Sequence, residues 1–245
     1  MEISLKGKKV LVTGASRGVG RAVTELVVKA GASKVYAVDI LKDELDKLAA
    51  EVNNVHPIHL DISDWSATES QLTSIEPVDC LVNNAGICWN TSPGKIKESD
   101  FDELFAVNTK AVINITQIIS NSMVKAGIKG SIVNVSSLGS VKVYPPFLVY
   151  SVSKAANDHI TRNFAAQLGP QGIRVNGVNP HAILTQMLAT SIRDPEEAER
   201  LSQLNTITRY LQPEEVGKVI LFLLSDWAET INGTTLPIDC GHLLS

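Results

Sequence analysis

This chain has little of what marks a secreted, membrane-bound or nucleic-acid-binding protein. It holds only three cysteines, Cys80, Cys88 and Cys240. Their odd number and lack of metal-ligand spacing argue against a disulfide framework and against a metal site, and lead to the expectation of a reducing, cytoplasmic setting. The longest apolar run, Val219 to Leu224, is far short of the ~20 residues that span a bilayer, so no membrane partner is expected. Basic tracts and basic–aromatic alternation are missing and the net charge is −4, so no nucleic-acid partner is expected. The first nine residues lead straight into a strand, which predicts no signal peptide. There is no linker, low-complexity tract or fixed-period repeat, and residues 1–245 are read as one domain. What is there, 44% hydrophobic and 20% charged residues, is enough to bury a core.

The stretch Lys8 to Gly20, KKVLVTGASRGVG, organises the rest. Val10, Leu11 and Val12 read as a short strand buried on both faces. A turn follows through Gly14, Ala15, Ser16, Arg17, Gly18, Val19 and Gly20. A helical pattern then begins at Arg21, with Val23, Leu26, Val27 and Ala30 on one face. Strand, glycine turn and helix start bring free N–H groups and the positive end of a helix dipole together, which suits a pyrophosphate.

Six more strand-like runs follow: Lys34–Asp39, Val55–Leu60, Val78–Val82, Ser131–Val135, Ile173–Val178 and Thr235–Ile238. Helical patterns lie between them, at Leu41–Val52, Asp64–Leu72, Asp100–Ala126, Tyr150–Leu168 and Glu214–Leu224. Such alternation predicts an α/β fold, a doubly wound parallel sheet of seven strands with helices on both faces. Asp100 with Glu103 reads as a capping box, and Pro213 as a helix start. Polar residues fall at the strand ends: Asp39, Asp61, Asn83-Asn84, Ser136-Ser137 and Asn179-Pro180. Any one could be a turn or cap, but together they favour an extended ligand along one sheet edge, and a dinucleotide has that length. Asp39 stands where a carboxylate would meet the adenosine ribose diol, and it would repel a 2′-phosphate. Ile40 offers no compensating cation. NAD is therefore preferred over NADP, with Arg17 the dissenting residue.

Tyr150 and Lys154 fall on one helix face, where an ammonium would lower the phenol pKa and make it a better base. Ser137 ends a strand, where its hydroxyl could hold a substrate oxygen beside the phenol or merely cap a turn. Asn108 sits mid-helix, a poor place for Asn; it either faces solvent or binds a water near the lysine. The stretch 186–212 reads as a substrate lid or as an ordinary surface helix.

With these residues in view the chain resembles a single-domain short-chain dehydrogenase/reductase, whose fold is Rossmann-type. The family's T-G-x-x-x-G-x-G stands at Thr13 to Gly20, N-N-A-G at Asn83 to Gly86 and Y-x-x-x-K at Tyr150 to Lys154. The resemblance implies Tyr150 as general acid/base, Lys154 on the nicotinamide ribose, Ser137 on the carbonyl and Asn108 in a proton relay. It further implies cofactor contacts from Gly14, Ser16, Arg17, Gly18, Val19, Gly20, Asp39, Ile40, Asp61, Ile62, Asn83, Ala85, Gly86, Pro180, Ile183 and Thr185. Leu138, Tyr144, Phe147 and Ile192 would line an apolar substrate pocket beside Ser137 and Tyr150. His181 stands where the family often has a small residue, and Cys240 where glycine is common. The expected activity is interconversion of a secondary alcohol and a ketone or aldehyde with NAD, by a homotetramer. The alternatives are an NADP-linked reductase of sugars or dicarbonyls, which in the similar enzymes lacks an acid at position 39, and a dinucleotide sensor without catalysis.

Overall fold

The computed structural model describes residues 3–191, 199, 203 and 205–244. Among these, seven strands form one parallel sheet: β1 (Lys9–Thr13), β2 (Lys34–Asp39), β3 (Val55–His59), β4 (Cys80–Asn83), β5 (Ser131–Val135), β6 (Arg174–Pro180) and β7 (Thr235–Ile238). Their order is β3-β2-β1-β4-β5-β6-β7. The winding therefore reverses between β1 and β4, and the carboxyl ends of both strands open onto one crevice.

Alternation along β1 explains the layers. Val10 and Val12 pack with Val23, Val27, Val216 and Ile220 on one face. Leu11 points the other way, to Ile115, Ile119, Met123 and Ile132. Apart from Ile132 of β5, these partners come from the helices α1 (Gly18–Lys29), α5 (Ala111–Lys125) and α8 (Pro213–Leu224). Each such fully buried aliphatic side chain is worth roughly 1.5–3 kcal/mol in area removed from water. Further helices are α2 (Lys42–Glu51), α3 (Trp65–Thr73), α4 (Glu98–Phe105), α6 (Leu148–Leu168) and α7 (Gln186–Ser191). Pro57 is tolerated inside β3 because β3 pairs only with β2 and its other edge needs no donor. Pro213 opens α8 as expected, where its missing N–H costs nothing.

Several boundaries differ from expectation. The first helix starts at Gly18, so two glycines of the turn already belong to it. The helix carrying Tyr150 starts two residues earlier, at Leu148. Strand β4 begins at Cys80, because Val78 lies in the approach to the sheet. Asp100 does not start its helix: α4 begins at Glu98, and Asp100 accepts from the Lys97 N–H at 3.1 Å. The helix expected over 100–126 is not uniform either. Between α4 and α5 the chain makes a wide π turn, Ala106–Lys110, centred on Asn108. One extra residue in that turn swings the Asn108 side chain inward.

Candidate active site

The first wall of the crevice is the glycine turn locked to the loop after β4. The Thr13 hydroxyl accepts from the N–H groups of Asn84 (3.0 Å) and Ala85 (3.1 Å). Asn84 Nδ2 donates to the carbonyls of Thr13 and Gly14, both at 3.0 Å. This close approach is what requires glycine. A Cβ on Gly20 would lie 1.9 Å from the Gly14 oxygen, and one on Gly14, whose φ is +62°, would lie 2.8 Å from Ala85 Cα. Gly18, also left-handed, faces the Thr185 methyl across the cleft mouth.

Asp39 ends β2 and is almost wholly buried. Its Oδ2 accepts from the Ser16 N–H (2.9 Å) and the Ser16 hydroxyl (2.7 Å), and its Oδ1 from the Leu41 N–H (3.0 Å). The carboxylate thus fixes the turn as well as bordering the crevice. Ile40 beside it is 56% exposed and brings no charge. Arg17 reaches over to α7, where its Nη1 donates to Gln186 Oε1 at 2.7 Å.

At the centre, α6 carries Tyr150 and Lys154 to the ends of β4 and β5. The buried Lys154 Nζ donates to the Val135 carbonyl at 2.9 Å and lies 5.8 Å from the Tyr150 ring centroid. Ser137 caps a 3₁₀ turn, Leu138–Ser140, by accepting from the Gly139 N–H at 3.1 Å, and its hydroxyl stands near the Tyr150 phenol. Asn108 is wholly buried. Its Oδ1 accepts from the Ile87 N–H and its Nδ2 donates to the Ile87 carbonyl, both at 2.9 Å, and also to Ser153 Oγ at 3.1 Å. It therefore does not face solvent. A Cβ on Gly86 would come within 3.3 Å of both Asn108 Oδ1 and Lys154 Nζ, so glycine there keeps a gap beside the amine.

Burial governs the electrostatics. It pushes the Tyr150 phenol well above its ordinary value, only partly offset by the Ser137 hydroxyl. The expected lowering by Lys154 is not what this arrangement produces, because both groups are desolvated. Burial lowers the Lys154 ammonium to about 8, against the raising influence of Cys88 and Asp158. The Cys88 thiol is pushed up to about 12 by burial, which makes it a poor nucleophile.

The far end of the crevice is apolar and aromatic. Leu138, Tyr144 and Phe147 line it, with Cys88, His181 and Met187. Three rings stack there: His181 on His242 at 3.9 Å between centroids, with Tyr144 about 6.0 Å from His181. The Tyr144 hydroxyl and His181 Nδ1 lie 3.3 Å apart. Burial first, then the nearby His242 and Lys142, lower His181 to about 4, so it is neutral at physiological pH. The whole crevice encloses about 870 Å³ and runs from Asp39 and Asp61 to Phe147 and Met187.

A family model described as enoyl-(acyl carrier protein) reductase matches residues 14–242. The chain is 40% identical to L-xylulose reductase of Mus musculus, covering 99% of both chains. The chain is a short-chain dehydrogenase/reductase. It is also 38% identical to carbonyl reductase [NADPH] 2 of Sus scrofa over the full length of both. Among solved structures, 3-ketoacyl-(acyl-carrier-protein) reductase from Brucella melitensis, complexed with NADH, superposes with a TM-score of 0.90 at 29% identity, covering 98% of this chain and 99% of that one. This short-chain dehydrogenase/reductase is accordingly an NAD(P)-linked oxidoreductase that interconverts alcohols and carbonyls.

Not every residue expected to meet the cofactor borders the crevice of this dehydrogenase/reductase. Gly14, Arg17, Gly18, Val19, Asp39, Ile40, Asp61, Ile62, Ala85, Gly86, Pro180, Ile183 and Thr185 do, as do Ser137, Tyr150 and Lys154. Ser16, Gly20 and Asn83 stand behind the wall. Ser16 is spent on Asp39, Gly20 packs on Gly14, and Asn83 donates to Thr116 Oγ1 (3.0 Å) and Asn134 Oδ1 (2.8 Å). Asn108 stands behind it too, for the packing reason given above. Ile192 and much of the expected lid lie outside the described residues; within 186–212, Gln186, Met187 and Leu188 of α7 border the crevice. Sequence reasoning named Asn84 only as a polar strand end, without its lock on the glycine turn, and missed Ser153 and the His181–His242 pair. Asn84 and Ser153 stand inside the quoted motifs, whereas nothing local links the two histidines.

Proposed function

We propose that this oxidoreductase prefers NAD and acts on a fairly apolar ketone or aldehyde and the matching alcohol. The observation that carries the cofactor choice is Asp39, a carboxylate at the crevice end of β2 with neutral Ile40 beside it. The cradle fits a dinucleotide: a side chain at Gly14 would meet the loop after β4, and one at Gly86 would meet the Lys154 amine. When bound, the nicotinamide would supply or take the hydride at C4. In this reading Lys154 holds the ribose, and Ser137 hydrogen-bonds the substrate oxygen. Tyr150 moves the proton between its phenol and that oxygen, while Asn108 ties the segment at Ile87 to α6. The apolar substrate is supported by Leu138, Tyr144, Phe147 and Met187 at the far end.

A second reading is an NADPH-linked reductase of sugars or dicarbonyls. It is favoured by the similarity to L-xylulose reductase and by Arg17, a cation at the mouth held by Gln186. Initial rates with NADH and NADPH, over a panel of aromatic ketones, dicarbonyls and ketoses, separate the two. A tenfold or larger preference in kcat/KM for NADH and for the aromatic ketones is expected, whereas NADPH with ketoses would establish the second reading. Assembly as a homotetramer, in keeping with the family resemblance, would give a mass four times the 26.4 kDa chain by light scattering. Three free thiols agree with a reducing, cytoplasmic setting, which fractionation of the producing cell tests.

A further inference from the structure

Asp158 is a buried charge for which the mechanism above has no use. It stands one turn beyond Lys154 on the same face of α6 and is 6% exposed. A carboxylate so deep is ordinarily ion-paired or fully hydrogen-bonded. Asp158 makes no salt bridge among the described residues. Its Oδ2 accepts from the Ser140 hydroxyl at 2.6 Å and from Asn179 Nδ2 at 3.2 Å, and its Oδ1 has no partner. Asn179 Nδ2 also donates to Ser140 Oγ at 3.0 Å, which closes a triangle.

The two donors come from the two segments that flank the reacting groups. Ser140 ends the 3₁₀ turn that Ser137 begins, and Asn179 immediately precedes Pro180 at the end of β6. The groups that titrate around Lys154 are Tyr150 on its own helix, Cys88 from the segment after β4, and Asp158. Of these, Asp158 is the carboxylate, and its influence on Lys154 favours the protonated amine.

We propose that Asp158 is a positioning residue for the reaction: its carboxylate pins the Ser137 turn to the end of β6 and sets a negative charge one helical turn behind the Lys154 ammonium. It touches neither substrate nor cofactor and acts through Ser137 and Lys154, so the inference rests on the roles given to those two residues above.

Asp158→Asn separates charge from shape. The amide oxygen still accepts from Ser140, and the new N–H offers a donor to Asn179 Oδ1, which now has no partner. The experiment uses the full chain, NADH binding followed by fluorescence, and steady-state reduction of 1-phenyl-1,2-propanedione from pH 6 to 10, with Tm for every variant. For Asp158→Asn the expected result is a Tm within ~3 °C of wild type and a kcat lowered about tenfold. The alkaline limbs of NADH binding and kcat/KM should move at least about half a pH unit toward acid. Ser140→Ala keeps the charge and loosens the turn, so it should lower kcat about threefold with the alkaline limb unmoved. Wild-type kcat and limb in Asp158→Asn overturn the proposal. A joint loss of Tm and activity with the limb unmoved also overturns it, since that is the behaviour of a merely structural aspartate. If Asp158→Asn does not fold, wild-type kcat in Ser140→Ala overturns it and a lowered kcat at unchanged Tm supports it. Tyr150→Phe assayed alongside distinguishes the failures. Activity in that variant removes the underlying reading, whereas its inactivity beside a wild-type Asp158→Asn removes only this inference.

Discussion

The two ends of the crevice are built on opposite principles. At the glycine end nearly every polar group is spent on the backbone: Thr13 on Asn84 and Ala85, Asn84 on Thr13 and Gly14, and Asp39 on Ser16 and Leu41. At the tyrosine end, ionisable groups are buried without counter-charges in contact. Tyr150 and Cys88 are pushed up, and Lys154 and His181 down. Polar atoms of Ser151, Asp158, Asn179 and His181 are left without partners there. One end is a rigid mould whose shape does the binding. The other holds uncompensated chemistry whose energy the rest of the fold supports.

If that contrast is right, substitutions at the tyrosine end should cost turnover, and those at the glycine end should cost the fold. The largest effect is expected for Tyr150→Phe. Loss of the acid/base should reduce kcat by ~10²–10⁴-fold while NADH binding and Tm stay close to wild type. A variant with undiminished kcat would break the comparison at its strongest point. Next comes Gly20→Ala, whose methyl would collide with the Gly14 carbonyl. A loss of ~3 kcal/mol or more in unfolding free energy is expected, together with loss of NADH binding, read by denaturant titration. A smaller change tests the mouth. Asp39→Ser with Ile40→Arg should move the NADH/NADPH ratio of kcat/KM at least about tenfold toward NADPH. It should also lower Tm by a few degrees, because the bonds from Ser16 and Leu41 lose their carboxylate.

The smallest expected effect sharpens the contrast by pH. His181 binds its proton near its ordinary 6.5 when unfolded but only at about 4 when folded. Between those values the unfolded chain holds more protons, so stability should fall as pH drops from 6.5 to 4. In His181→Phe the fall in Tm over that window should be shallower than in wild type. Equal slopes would show that the ring stack does not bury a neutral imidazole.

Much of this was legible from residues alone because it is local. The β-branched run Val10–Val12, the glycines after it and the polar strand ends each declare a strand, a turn or an edge. The i, i+4 spacing of Tyr150 and Lys154 places both on one face wherever the helix lies. The parallel sheet followed from the alternation of strand and helix, since parallel strands need crossovers, whereas the order of its strands came from the tertiary structure.

Side-chain energetics were not legible. Burial holds the Tyr150 phenol above its ordinary value, a property of everything packed around it. Ser16, Gly20 and Asn83 belong to the right motifs yet lie behind the wall, because motif membership fixes position along the chain and not direction of a side chain. Asn108 needed the π turn to bring it inward, and His181 meets His242 only through the return of β7 beside β6. The sequence by itself determined the elements, their order and the types of group at the sheet edge, since these depend on neighbours in the chain. Only the tertiary structure decided which groups are buried, charged or left unpaired, because desolvation and hydrogen bonding depend on residues far apart in sequence.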